Sequence, residues 1–162
     1  MLDAVGHDPS PNATIQAEQF SGLVEPLRHL FTDMWSDMAR DQSLPPMDVD
    51  FASYIRLEAL GVLRTYTVRW QGELVGAAVY FVAPNLHHNS TIWATSDVIW
   101  IRPDMRRPLL GLRLLRHAED DLRRAGATVF HVGAKVKRPE LAHLLSWMGY
   151  EPVEIAYQKV LP

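Results

Sequence analysis

Hydrophobic positions change their period several times along the chain, and each change marks an element. In LVEPLRHLFTDMWSDMARD, Leu23, Leu27, Leu30, Phe31, Met34 and Met38 recur at three- and four-residue spacing. That spacing predicts an amphipathic helix. Pro45 and Pro46 stop it, because proline cannot continue a helix. Asp50 is placed to cap a second helix that starts at Phe51 and closes at Gly61. The middle of the chain alternates instead. LRTYTVRW, the turn Gln71-Gly72 and ELVGAAVYFV predict a β-hairpin. APNLHHNS reads as a polar loop, and TIWATSDVIWI as a third long strand.

After that strand the period returns to that of a helix. Pro108 suits a first helical turn, Leu110, Leu114, Ala118 and Leu122 form one stripe, and Gly126 stops it. ATVFHVGAKV is a strand. Pro139 opens a last helix with Leu141, Leu144, Leu145 and Met148 on one side, and Gly149 closes it. YEPVEIAYQKV predicts a final strand. Residues 13–20 supply a short first strand, and the polar, Pro-containing residues 1–12 an N-terminal arm. The order is strand, two helices, three strands, helix, strand, helix, strand. Strands crossed by helices argue one α/β (α+β) domain over residues 13–162, with helices on both faces of a central sheet.

Composition narrows the classes. The 162 residues are 48% hydrophobic and 22% charged, ordinary for a globular domain with a real core. A net charge of −3 gives no general attraction to nucleic acid or to an anionic membrane. The chain has no cysteine, hence no disulfide and no thiolate chemistry. No apolar run is long enough to span a bilayer, so the expected setting is cytoplasmic. His87 and His88 have no third ligand at a metal spacing, so no metal is expected.

Candidate chemistry gathers where a strand hands over to a helix. Ile101-Arg102-Pro103, then Asp104-Met105, then Arg106-Arg107-Pro108-Leu109-Leu110-Gly111 lead into a helix bearing Leu114-Leu115. Near the end stands Trp147-Met148-Gly149-Tyr150. With the order of elements over residues 13–161, these stretches resemble the GCN5-related N-acetyltransferase (GNAT) family. The pattern of LPPMDVDFASY and the closing YQKVL looks closest to acetyltransferase-like proteins of tailed bacteriophages. The motif departs from the family at Arg107 and Leu109, where glycine is usual, and at Pro108, which has no N–H.

The resemblance implies a mostly antiparallel mixed sheet of six to seven strands and acetyl-coenzyme A as donor. It implies that the diphosphate lies on the amides of Arg106, Arg107, Leu109, Leu110, Gly111 and Leu112, at the positive end of a helix. The pantetheine arm would pair with the backbone of Ile99, Trp100 and Ile101, where strands four and five splay apart. An amine acceptor would then attack the thioester directly. Asp97 stands where relatives carry a basic carboxylate, and simple alternation would put it on one face with Trp93, Thr95, Ile99 and Ile101. The family's usual tyrosine acid on the last helix is missing, since Leu145 occupies that place. Tyr157 is the substitute candidate. Trp35 and the paired His87 and His88 are candidate acceptor contacts, and Asp41, Asp48 and Asp50 would favour a cationic one. Two other readings stay open: a degenerate binding module that no longer turns over, and a phage enzyme acting on a modified nucleobase or a host protein. A homodimer would use the edge of the last strand.

Overall fold

The structure is a computed structural model and describes residues 12–38 and 45–161. Residues 1–11 of the arm therefore fall outside the described residues, as does the first half of the connection after the first helix. Strand β1 (Thr14–Glu18) is followed by helices α1 (Val24–Met38) and α2 (Phe51–Ala59). Strands β2 (Leu63–Trp70), β3 (Glu73–Asn85) and β4 (His88–Ile101) follow, then helix α3 (Pro108–Arg124), β5 (Ala127–His131) and α4 (Pro139–Trp147). The sheet runs β1-β2-β3-β4-β5. Its first three pairings are antiparallel, and β4 with β5 is parallel.

Local chemistry explains most boundaries. The Asp50 carboxylate accepts from the Ser53 N–H at 2.9 Å and caps α2. Gln71 and Gly72 adopt φ of 51° and 84°, the left-handed pair that a two-residue hairpin requires. Gly76 lies against β4 so closely that an added Cβ would sit 2.9 Å from Ile101 Cγ1.

Both faces of the sheet are covered. Tyr66, Val68, Ala78, Tyr80 and Ala94 pack on Leu110, Leu114, Ala118 and Leu122 of α3. On the other face Leu63, Ala77, Val79, Val98 and Trp100 pack on Phe20, Leu27, Leu30 and Phe31. Each such leucine or phenylalanine contributes about 1.5–3 kcal/mol by leaving water.

Three expectations change. The sheet has five strands, not six to seven. The expected final strand is absent: residues 151–161 pair with no strand and are all exposed. The APNLHHNS stretch is not an open loop, because Asn85 pairs with His88 and the two long strands meet in a tight hairpin. Polar residues there mislead because the hairpin's outer end projects into water on both faces, so no apolar alternation marks it.

Candidate functional site

The site begins with one extra residue in β4. Val79 pairs with Val98 but Tyr80 pairs with Ser96, so Asp97 has no partner opposite and forms a β-bulge. The bulge inverts the phase of the strand. Before it Ile92 and Ala94 face α3, and after it Ile99 and Ile101 do. Val98 and Trp100 face α1. The single alternating face expected for Trp93, Thr95, Asp97, Ile99 and Ile101 is therefore broken at Asp97.

Strand β5 leaves β4 at the same point. Their pairing runs from Ile92–Ala127 to Thr95–His131 and ends there. The last tie is the Gly133 N–H, which donates to Ser96 Oγ at 3.0 Å. Residues 96–101 continue without β5, so one backbone edge of β4 is left open beside a widening cleft.

Asp97 is exposed at the head of that cleft. Tyr54 of α2 donates its hydroxyl to Asp97 Oδ2 at 2.5 Å. Its ring stacks on buried Phe20, with centroids 4.7 Å apart. Burial, and then the Asp97 charge, raise the Tyr54 phenol well above its ordinary range, so it stays a donor. The donated hydrogen bond fixes the direction in which the Asp97 carboxylate points.

A second carboxylate sits below. Asp37, in the last turn of α1, accepts from Trp100 Nε1 at 3.1 Å, Arg106 Nη2 at 2.5 Å and Arg138 Nη1 at 2.8 Å. Burial alone would raise the Asp37 carboxyl, but the donors from Arg106, Arg138 and Trp100 outweigh it and hold it far below the usual range. Arg106 also donates through Nε to the Ile101 carbonyl and lies over the Trp100 ring. Its guanidinium is thus turned to Asp37 and not to the start of α3. Arg102 is likewise engaged, by Glu73 at 2.6 Å and Asp104 at 2.8 Å. Among the described residues Arg107 meets only backbone carbonyls, with Nη1 at 2.7 Å from the Arg106 oxygen.

The amides at the start of α3 are unequal. Leu110 and Gly111 donate to the Arg107 carbonyl, and Leu112 lies within the helix. Among the described residues, only the N–H groups of Arg107 and Leu109 in this turn lack a hydrogen-bond partner. The Leu109 side chain is 61% exposed and points into water rather than into the core. The open edge of β4, two free amides and the Arg107 cation suit a linear ligand with an anionic end. Such a ligand would lie along Ile99, Trp100 and Ile101.

The remaining candidates do not join this group. His87 and His88 lie at the β3–β4 hairpin, nine residues along the strand from Asp97, or about 30 Å at 3.4 Å per residue. There His88 stacks on Trp93. Trp35 is half-buried on α1. Tyr157 is 92% exposed and makes no hydrogen bond among the described residues. Asp41 lies outside the described residues, and Asp50 is committed to its cap. Among the described residues no cluster of three metal-ligating side chains exists, and no helix is long and apolar enough to cross a membrane.

Sequence reading missed Tyr54, Asp37 and Arg138 as parts of the site. Partners separated by 43 and 101 residues leave no local signal.

Known proteins place this geometry. The sequence model of the Acetyltransferase (GNAT) family matches residues 24–150. An aminoalkylphosphonate N-acetyltransferase of Salmonella typhimurium is 29% identical over 90 residues, 56% of this chain and 58% of that protein. The match thus spans little more than half the length of that relative. An aminoglycoside acetyltransferase from an uncultured soil metagenomic sample shares the fold, with a TM-score of 0.72 at 12% identity over 94% of this chain and 98% of that one. A transcriptional regulator from Bacillus halodurans does so with a TM-score of 0.73 at 16% identity over 92% and 99%. The family match covers most of the chain, and with it the bulge, the cleft and the start of α3: this protein belongs to the Acetyltransferase (GNAT) family.

Proposed function

We propose that the chain transfers an acetyl group from acetyl-coenzyme A to a primary amine by direct attack. The observation that carries this reading is the Tyr54–Asp97 pair, an oriented carboxylate at the head of a cleft with one open strand edge. Asp97 accepts the proton of the attacking amine, directly or through a water. The nitrogen forms the new N–C bond to the acetyl carbon, and the C–S bond breaks. The electron pair leaves on sulfur, which takes its proton from solvent. The open edge of β4 pairs with the pantetheine arm. The free amides of Arg107 and Leu109 and the Arg107 guanidinium meet the diphosphate, at the helix end that carries about half a positive charge.

Nitrogen as the accepting atom is supported by the Salmonella typhimurium relative, named an N-acetyltransferase. The test is thiol release from acetyl-coenzyme A across a panel of amines, alongside thermal unfolding with the same ligand. At 100 times its dissociation constant the ligand adds about 2.7 kcal/mol of stability. Stabilisation with thiol release supports transfer. A flat melting curve with both acetyl-coenzyme A and coenzyme A overturns it.

A second reading has its own observation. Arg106 is already neutralised by Asp37, and Pro108 removes one amide. A binding module that grips the carrier without turnover would give stabilisation and no thiol release with any amine.

A further inference from the structure

Donors from three separate elements converge on one point beside the open edge of β4. Trp100 Nε1 lies 3.1 Å from Asp37 Oδ2, Arg106 Nη2 2.5 Å and Arg138 Nη1 2.8 Å. Trp100 belongs to β4, Arg106 to the turn before α3, and Arg138 immediately precedes α4. The Arg102 N–H donates to the Val75 carbonyl of β3, so by alternation the main-chain groups of Ile99 and Ile101 face away from β3, along the open edge. Arg106 Nε donates to the Ile101 carbonyl on that edge. Arg138 approaches from the other wall of the cleft, on the chain that has left β4 after His131.

Two guanidiniums and an indole N–H make a site for an anion, and forked guanidinium donors suit phosphate oxygens as well as carboxylate. One carboxylate does not balance it, because both cations face the same Asp37 charge. That carboxylate is also poorly placed. Asp37 lies in the last turn of α1, at the negative end of the helix, where an anion is disfavoured. Among the described residues its side-chain donors all come from outside α1. The Asp37 side chain is 15% exposed and that of Arg106 41%, so one of the cations is open to water and free to turn. Arg138 can pass Nη1 to another anion while Nη2 stays on the Asp37 carbonyl.

We propose that Arg106, Arg138 and the Trp100 indole form a diphosphate seat, and that Asp37 is its internal occupant until the carrier binds. The carrier's diphosphate, with a charge on each phosphate, displaces the carboxylate and balances both cations. Asp37 is thus a built-in competitor that weakens carrier binding. Arg138 is a carrier-binding residue supplied from across the cleft. This rests on the acyl-carrier reading of the site, and it accounts for a neutralised Arg106 without loss of function.

The test is titration calorimetry with coenzyme A on four full-length chains: native, Asp37→Asn, Arg138→Ala and the double variant. Asp37→Asn is expected to lower the dissociation constant about tenfold, the order of one charged hydrogen bond. Arg138→Ala is expected to raise it more in the Asp37→Asn background than in the native one, where loss of the donor is partly offset by a loosened Asp37. The native chain gives a second readout that needs no variant. With coenzyme A bound, amides in the last turn of α1 are expected to exchange with deuterium faster, because Asp37 has lost its outside donors. An unchanged or raised dissociation constant in Asp37→Asn overturns the displacement. So do equal effects of Arg138→Ala in the two backgrounds, and so does unchanged or slower exchange at the end of α1. If the native chain binds coenzyme A and these signs fail, the displacement alone falls. If none of the four chains binds it, the carrier reading falls as well.

Discussion

Arg106 Nη2 lies 2.5 Å from Asp37 Oδ2, although 69 residues separate them in sequence. The Arg106 cation is therefore engaged within the protein. It ties the end of α1 to the segment before α3, and Arg138 joins the same carboxylate. Replacing Asp37 by Asn keeps the shape and removes the charge. A charged hydrogen bond contributes about 1.5–3 kcal/mol, so a loss of that order is expected in urea unfolding. In the same variant Arg106 is released, and the dissociation constant of coenzyme A is expected to fall in titration calorimetry.

Arg107 and Arg106 differ in what they are free to do. Arg107→Ala is expected to raise the KM for acetyl-coenzyme A several-fold, because among the described residues Arg107 meets only carbonyls. Arg106→Ala is expected to lower thermal stability with a smaller change in KM. Steady-state kinetics on both variants separate the roles.

Asp97→Asn removes the proton acceptor and is expected to lower kcat by about 10²–10⁴-fold. Tyr54→Phe keeps the ring stacked on Phe20 and removes only the hydrogen bond. A loss near tenfold, about 1.4 kcal/mol, is expected in single-turnover measurements. Equal losses in the two variants would assign the effect to the fold of α2 and not to the proton.

Glu18 links acidity to stability. The Arg69 hydrogen bonds hold its carboxyl down, from an ordinary 4.5 to about 2. A depressed carboxyl stabilises the folded state above its unfolded value and loses that contribution as protons are taken up. The gap in melting temperature between the native chain and Glu18→Gln is thus expected to be full above about pH 4.5, and to shrink between there and pH 2.

Gly76→Ala places a methyl group 2.9 Å from Ile101 Cγ1 and 3.0 Å from the Trp100 carbonyl oxygen. Backbone cannot yield there, so about 1–3 kcal/mol of destabilisation is expected from overpacking. Chemical denaturation at neutral pH measures it.

Most of the fold was legible because its signals are local. Asp50, Pro108 and Gly72 mark boundaries by their own conformational chemistry, and Leu110 to Leu122 mark a face by period alone. Candidate Asp97 was legible by its place before Pro103. Its surroundings were not, because a bulge needs knowledge of the partner strand, and Tyr54 meets it only after α2 has docked. The tail shows the opposite failure. Val153, Ile155 and Tyr157 alternate as a strand should, but alternation states a preference for pairing and does not supply the neighbour. His87 and His88 read as candidate acceptor contacts, and how far the long hairpin carries them from Asp97 shows only in the strand pairing.

The unpaired residue in β4 also limits how this strand can vary. Removing any one residue between Trp93 and Trp100 would bring the two halves back into step. Asp97 would then fall into the regular ladder, and the outward swing of the neighbouring parallel strand would lose its starting point. Length here is more constrained than most side chains: apart from Asp97, residues in this stretch can be exchanged one for one, while a codon gained or lost would erase the cleft and misdirect its carboxylate together.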